Sequence, residues 1–189
     1  MFTIRKATPA DLPAIQNVNL TNLPENYNLQ LYYYHLILYP TSFVAVTPDN
    51  KIVGYCLTKI EDDDPHPVVT GQVTSISVLR TYRRLGIATK LIRAAENSMI
   101  EIFGARAMML QVRVSNKPAL HLYEKTIGFT VTKVSKHYYL DGEDALILTH
   151  NFTSDTLINK DCSSVVVDEW KKVMQEQETK QKEQPTTTN

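Results

Sequence analysis

The first 152 residues contain two kinds of apolar spacing, and these predict strands and helices in a mixed order. Strands are predicted at 2–7, 42–46, 52–60, 68–79, 108–114, 129–134 and 145–151, where β-branched and aromatic residues cluster. Helices are predicted from residue 8 or 11 past Val18, and at 29–39, 85–103 and 118–123. The order β α α β β β α β α β β predicts an α/β (α+β) fold in which helices cover a mixed sheet.

The start of the first helix has two interpretations. Thr8-Pro9-Ala10-Asp11 is typical of a capping box with proline at the first helical position. Pro13 argues for a later start, because a proline deeper in a helix removes a backbone hydrogen bond. Asp11 is then the alternative cap.

The composition changes near residue 152 and predicts a domain at 1–152 followed by a polar tail at 153–189. Segment 175–184 contains only Gln, Glu, Lys and Thr, so it has nothing to bury and is predicted to be disordered. Within 164–174, Val166, Trp170 and Val173 share one helical face. A short docking helix and a frayed tail are both consistent with that pattern.

Composition and charge narrow the class of protein. Apolar residues make up 43% and charged residues 21% of the 189, which is ordinary for a globular chain. Twenty basic residues balance twenty acidic ones, so no global field favours nucleic acid or an anionic membrane. The chain has no apolar run of roughly 18 residues and no signal-peptide order at its start, so a cytoplasmic location is expected. The two cysteines, Cys56 and Cys162, have no metal-ligand spacing, and no metal is predicted.

The clearest chemical motif is Arg83-Arg84-Leu85-Gly86-Ile87-Ala88, at the point where a strand ends and a long helix begins. Backbone N–H groups at a helix start bind anions, and glycine permits a close approach of the backbone to a phosphate. The motif therefore indicates a pyrophosphate site, although a simple basic helix end has the same residues.

This segment resembles the (Gln/Arg)-x-x-Gly-x-(Gly/Ala) acyl-CoA motif of the GNAT acetyltransferases. The stretch from Arg113 to Tyr123, followed by Ile127-Gly128-Phe129, is similar to a second signature of that family. The resemblance implies acetyl-CoA as co-substrate and a GNAT fold. The implied cofactor-binding residues are Ile76, Ser77, Val78, Arg83, Arg84, Leu85, Gly86, Ile87, Ala88, Asn116 and Tyr123.

Three further stretches, 23–27, 32–35 and 136–145, resemble NatA-type catalytic subunits, so the likeness covers roughly 1–152. It implies acetylation of protein N-termini with small first residues exposed after methionine removal, or acidic ones for the free subunit. It also implies a helical-repeat auxiliary subunit and, through it, the ribosome. The implied substrate-binding residues are Leu23, Pro24, Glu25, Tyr27, Arg113, Tyr138 and Tyr139.

The resemblance makes Glu25 the leading acid–base candidate, and Tyr123 a group that donates to the departing thiolate or orients it. The thioester carbonyl would bind backbone donors of 75–78 where that strand diverges from 108–114. Gln111 departs from the pattern, since relatives commonly carry histidine there, and this puts a proton relay at that position in doubt.

Structural interpretations stand beside these roles. The Glu25 carboxylate can simply interact favourably with the dipole at the start of a nearby helix. Tyr27, Tyr138 and Tyr139 can be ordinary core aromatics. Two rival functions are a GNAT that acetylates lysine or a small amine, and a CoA-binding subunit without activity.

Overall fold

A computed structural model describes residues 1–61 and 69–153. The strands are β1 (Thr3–Lys6), β2 (Phe43–Val46), β3 (Ile52–Ile60), β4 (Thr70–Val78), β5 (Ala107–Arg113), β6 (Thr130–Ser135) and β7 (Ala145–Asn151). The helices are α1 (Leu12–Asn22), α2 (Leu29–Leu38), α3 (Ile87–Phe103) and α4 (Lys117–His121). In the described residues none of the helices combines the length and apolarity that crossing a bilayer requires.

The strands of the described residues form one seven-stranded sheet in the order β1-β2-β3-β4-β5-β7-β6. All neighbouring strands pair antiparallel except β4 and β5, which pair in parallel. A parallel pair needs a crossover, and α3 provides it. The predicted mixed sheet and its element order are confirmed.

Two apolar clusters hold the helices against the sheet. The first contains one side of α3, including Leu91, Ile92 and Met99, all fully buried. The second joins α1 and α2 to β2 and β3 through residues such as Ile15 and Tyr32. Since α1 and α2 pack on the sheet by these side chains, the short loop between them is held at a fixed place.

The boundaries differ from the predicted ones in two instructive places. The first helix begins with a 3₁₀ turn at Pro9–Asp11, and the Asp11 carboxylate accepts hydrogen bonds from the N–H of Thr8 at 2.8 Å and from its hydroxyl at 3.0 Å. Pro13 is the second residue of α1, where no intrahelical N–H bond is lost. The helix predicted over 118–123 ends at His121 and continues as a π-helical segment at Leu122–Ile127.

The strands β4 and β5 diverge at their carboxyl ends. Their parallel pairing runs from Thr70 and Ala107 to Val73 and Leu110, and both strands continue beyond it. The predicted divergence of 75–78 from 108–114 is confirmed. Segment 164–174, for which a docking helix and a frayed tail are both consistent with the sequence, lies outside the described residues, and the division into domain and tail stays a prediction.

Candidate active site

Glu25 and Arg113 form the ion pair at the centre of the site, although 88 residues separate them in the chain. Glu25 lies in the loop between α1 and α2, and Arg113 is the last residue of β5. The Arg113 Nη2 and Nε atoms donate to Glu25 Oε1 at 2.7 and 3.0 Å. Both bonds end on Oε1, so Oε2 of the same carboxylate is the oxygen that can accept from a substrate.

The third nitrogen of the Arg113 guanidinium, Nη1, binds the loop between β6 and β7. This Nη1 atom donates to Asp141 Oδ2 at 2.8 Å and to Glu143 Oε2 at 2.7 Å. The central carbon of the guanidinium lies 3.9 Å from the ring centre of Tyr139, a cation–π distance. Arg113 therefore joins the two loops that the resemblance assigns to the peptide, and it fixes the position of the Glu25 carboxylate.

Glu143 is strongly acidic in this arrangement. Hydrogen bonds from Ser115, and then from Arg113, lower the pKa of the Glu143 carboxyl from its ordinary 4.5 to about 2. The carboxylate stays charged at neutral pH and keeps its bond to Arg113.

Three tyrosines, Tyr27, Tyr138 and Tyr139, lie around the opening of the site beside Glu25 and form its mouth. The rings of Tyr138 and Tyr139 lie 5.1 Å apart, centre to centre, in an edge-on arrangement. Burial, and then the charge of Glu25, raises the pKa of Tyr139 to about 12. Burial is also the main cause that raises the pKa of Tyr27. The hydroxyls of Tyr27 and Tyr139 are therefore neutral at physiological pH, and they can donate hydrogen bonds but cannot serve as phenolate bases.

Backbone groups of β4 face the gap between β4 and β5. The N–H of Leu79 donates to the carbonyl oxygen of Val53 on β3 at 2.8 Å, so Leu79 faces β3. Because successive residues of a strand point their N–H groups to opposite sides, Ile76 and Val78 face β5. Beyond Val73 the described part of β5 no longer pairs with β4, so these donors open into the gap.

The turn before α3 has a left-handed backbone at two residues, Arg84 with φ 63° and Gly86 with φ 74°. For arginine this conformation costs roughly 1–2 kcal/mol, whereas glycine adopts it freely. The first N–H groups of a helix have no acceptor within it, and here they belong to Ile87 and Ala88. Arg84 and Leu85 are exposed beside them. Left-handed residues in a turn before a helix are typical of backbone concavities that bind anions, so this turn suits a phosphate group.

Two predicted cofactor residues have their side chains bonded within the chain. Arg83 donates from Nε to the Val78 carbonyl at 3.0 Å and from Nη2 to Asn22 Oδ1 at 2.9 Å. Asn116 caps α4 by accepting from the N–H of Ala119 at 3.3 Å. Both residues organise backbone next to the gap, and their contact with a cofactor stays a prediction.

Tyr123 is 7% exposed and packs against Phe129, with the ring centres 5.9 Å apart. Burial raises the pKa of its hydroxyl, so the group stays protonated. The hydroxyl of Tyr123 is therefore available as a donor and not as a base.

Gln111 forms a side-chain pair with Gln72 across the diverging strands. The Gln72 Nε2 atom donates to Gln111 Oε1 at 2.9 Å. Neither amide titrates, so this pair cannot accept the proton of an amine.

Residues 12–129 match the model of the acetyltransferase (GNAT) family. The chain belongs to the GNAT family. A relative from Schizosaccharomyces pombe, described as the N-terminal acetyltransferase A complex catalytic subunit ard1, is 45% identical over 152 residues, 80% of this chain and 86% of the relative. The Arabidopsis thaliana N-terminal acetyltransferase A complex catalytic subunit NAA10 is 43% identical, over 80% of this chain and 78% of the relative.

A solved structure of the NatC complex bound to Gag peptide and CoA contains a similar chain. It has a TM-score of 0.72 and 29% identity, and the likeness covers 80% of this chain and 99% of that one. The expected GNAT fold is confirmed by this likeness and by the family match. The expected membership among catalytic subunits of N-terminal acetyltransferases is confirmed by the relatives.

Sequence reasoning proposed the residues of this GNAT site but missed several of its contacts. It placed Leu23, Pro24, Glu25 and Arg113 in the peptide site, and the structure joins Glu25 to Arg113. It did not identify the carboxylates of Asp141 and Glu143 as partners of Arg113. Acidic residues in a turn look alike whether they face solvent or a half-buried arginine, so the sequence alone carried no signal for this contact.

Proposed function

We propose that this chain transfers the acetyl group of acetyl-CoA to the α-amine of protein N-termini, as the catalytic subunit of a NatA-type complex. The observation that carries the proposal is the Glu25–Arg113 pair, which lies between the two loops assigned to the peptide and at the end of a strand that borders the gap. A carboxylate fixed beside that gap can accept the proton that an amine loses when it attacks a thioester bound there.

The reaction needs little base strength. An α-amine has a pKa of about 7.7–8.0, so roughly a tenth is already neutral at pH 7, whereas a lysine amine near 10.4 is almost wholly charged. The amine nitrogen attacks the thioester carbonyl carbon, the C–S bond breaks, and CoA leaves as the thiolate. Glu25 receives the amine proton, directly or through one water. Arg113 holds the Glu25 carboxylate in place.

The other side of the reaction uses the gap and the turn before α3. The N–H groups of Ile76 and Val78 stabilise the negative charge on the thioester oxygen. Tyr123 donates a hydrogen bond to the departing sulfur. The turn at Arg84 to Ala88 holds the pyrophosphate of CoA by backbone donors.

The tyrosines select the first residue of the substrate. Tyr27, Tyr138 and Tyr139 narrow the mouth beside Glu25, and this favours small first side chains by steric exclusion. We expect Ser, Ala, Thr, Gly, Val or Cys first in the complex. The free subunit accepts acidic first residues as well.

The surface of α2 supports an auxiliary subunit. Leu29, Tyr33 and Ile37 recur every fourth residue and are 46%, 50% and 49% exposed, so they form an apolar stripe on one side of the helix. Exposed apolar patches of this kind mark protein contacts. The occupant that we propose is a helical-repeat scaffold that also contacts the ribosome, and this places the enzyme in the cytoplasm.

A peptide panel tests the proposed function. Initial rates are measured with Ser-, Asp- and Met-initiated peptides and with a lysine peptide whose N-terminus is blocked, with and without the auxiliary subunit. Thiol release and acetylated peptide are both quantified, which separates a silent CoA-binding subunit from an active enzyme. We expect Ser-initiated peptides to dominate in the complex. A dominant rate on the blocked lysine peptide in both states would contradict the proposal.

A further inference from the structure

A buried chain of polar side chains connects the loop of Glu25 to strand β4. Asn19 and Tyr55 are fully buried and Ser75 is 7% exposed. The Asn19 Nδ2 atom donates to the main-chain oxygen of Glu25 at 3.2 Å and to the Tyr55 hydroxyl at 2.9 Å. The hydroxyls of Tyr55 and Ser75 lie 2.8 Å apart. Three elements, α1, β3 and β4, are thus joined to one peptide group of the loop.

The direction of the two hydrogen bonds of the Asn19 amide follows from the chemistry of its partners. A carbonyl oxygen only accepts, so the amide nitrogen of Asn19 must face Glu25. The same NH₂ group donates its second hydrogen to the Tyr55 oxygen. The Tyr55 and Ser75 hydroxyls share the next hydrogen bond, in which either oxygen can be the donor. The Asn19 amide is therefore the branch point of the chain, because it donates to the main chain of Glu25 on one side and to the Tyr55 hydroxyl on the other.

Both ends of this chain lie at the proposed reaction site. Ser75 follows Val73, the last β4 residue that pairs with β5, so it lies where the gap opens. Glu25 supplies the carboxylate at the other end. The Glu25 side chain is fixed by Arg113, and its main chain is fixed by Asn19.

Simple packing would favour apolar residues at these positions. Asn19 and Tyr55 lie beside the second apolar cluster, near Ile15 and Leu57, and buried polar groups there are costly when they are incompletely paired. Asn19 Oδ1 has no hydrogen-bond partner among the residues that the structure describes. The amide lies in an apolar region, and its two hydrogen bonds run to the Glu25 main chain and to the Tyr55 hydroxyl, so it links the loop to the sheet.

We propose that Asn19 and Tyr55 are positioning residues that fix the main chain of Glu25 relative to the acetyl-binding strand. The inference rests on the acid–base role proposed for Glu25. The polar chain fixes the position of the Glu25 main chain relative to the gap. Arg113 fixes the direction in which the Glu25 carboxylate points. Both constraints are needed to place one oxygen near the attacking amine, since small displacements of reacting groups lower rates strongly.

The test is a set of double-mutant cycles on a Ser-initiated peptide. Asn19→Ala and Tyr55→Phe are made in the wild-type enzyme and in Glu25→Gln, and kcat, KM and CoA affinity are measured for each. The control is Asn17→Ala, an exposed asparagine on the same helix. Wild-type activity on the peptide amine is measured first, so a failure of the proposed function is recognised before any variant is compared.

We expect Asn19→Ala to lower kcat at least about tenfold, which corresponds to an activation free energy raised by about 1.4 kcal/mol. Tyr55→Phe keeps the ring and removes the bond between Asn19 and the Tyr55 hydroxyl, but it leaves the bond from Asn19 to the Glu25 main chain, so its loss is smaller, about threefold. CoA affinity and the Asn17→Ala rate stay within about twofold of wild type. In Glu25→Gln both losses shrink below about twofold, because the residues act through Glu25.

Two results for the Asn19 and Tyr55 variants would overturn the proposal. One is wild-type kcat in folded Asn19→Ala and Tyr55→Phe. The other is an equal loss in both backgrounds, which assigns the polar chain to stability alone. If Asn19→Ala does not fold, Tyr55→Phe decides by the same comparison. A Glu25→Gln enzyme with full activity removes the base role of Glu25 and, with it, this proposal.

Discussion

At the residue scale, the ion pair between Glu25 and Arg113 decides how the site works. Arg113 binds Glu25 by two of its nitrogens and the β6–β7 loop by the third. The planar guanidinium can hold such a fixed fork, and a lysine cannot. One side chain therefore sets both the position of the carboxylate and the width of the mouth.

The first prediction concerns proton transfer by Glu25. Glu25→Gln keeps the size and an oxygen for Arg113 but loses the base, and general acid–base help is worth about 10²–10⁴ in rate. We expect kcat on a peptide amine to fall at least about tenfold and CoA affinity to stay unchanged. Steady-state rates and CoA titration measure the two quantities, and Asp49→Asn in the β2–β3 turn is the control. Full kcat across a pH profile would show Glu25 to be structural.

The second prediction concerns pH and Glu143. Its folded pKa of about 2 lies below the ordinary 4.5, so the carboxylate stabilises the fold above about pH 4.5 and loses this effect as the pH falls toward 2. We expect the melting temperature of Glu143→Gln to lie below that of wild type at neutral pH, and the two to converge near pH 2. Thermal unfolding from pH 2 to 7 measures the difference. A difference that does not depend on pH would contradict the assigned pKa.

At the element scale, the divergence of β4 from β5 and the start of α3 form the proposed acetyl-CoA site. The divergence exposes the backbone donors of β4, and the left-handed turn directs those of α3 outward. Neither feature needs a charged side chain to present these backbone donors. This explains why Arg83 can bond to Val78 and Asn22 and still belong to the motif.

The third prediction concerns Gly86. A Cβ at this residue meets no atom of the described chain within 4 Å, so Gly86→Leu costs the fold only the strain of φ 74°. We expect CoA affinity to fall far more than that strain lowers stability, because the side chain occupies the space of the pyrophosphate. Gly104→Leu, at the other end of α3 with φ 64°, is the matched control. CoA titration and thermal unfolding separate the effects. Unchanged affinity in a folded Gly86 variant would defeat the assignment.

At the scale of the whole molecule, the loop of Glu25 lies between the site and the apolar stripe of α2. A depression of ≈ 560 Å³ beside the stripe is lined by Asn26, Tyr27, Leu31 and Tyr34, among others. Tyr27 belongs to the mouth as well. A protein docked on α2 therefore contacts the segment that carries Glu25, and it can change the choice of first residue.

The fourth prediction concerns this stripe. Tyr33→Glu and Ile37→Glu place charges where we expect an apolar contact, so association with the auxiliary subunit should weaken at least about tenfold while the rate of the isolated chain changes little. Val131→Glu and Val134→Glu on β6 are controls of similar exposure, 42% and 46% for the native valines. Co-purification and peptide profiles measure the effect. Wild-type association of both α2 variants, or identical peptide profiles with and without the auxiliary subunit, would contradict it.

The sequence by itself determined the element order, the GNAT family and the turn before α3. These features depend on local patterns, such as apolar spacing and the glycine at a helix start, which leave a trace within a few residues. Contacts across the sheet leave no such trace. The partners of Arg113, the Gln72–Gln111 pair and the polar chain through Asn19 were decided only by the tertiary structure. Each joins side chains that are distant in sequence, and their meeting depends on strand register and helix packing.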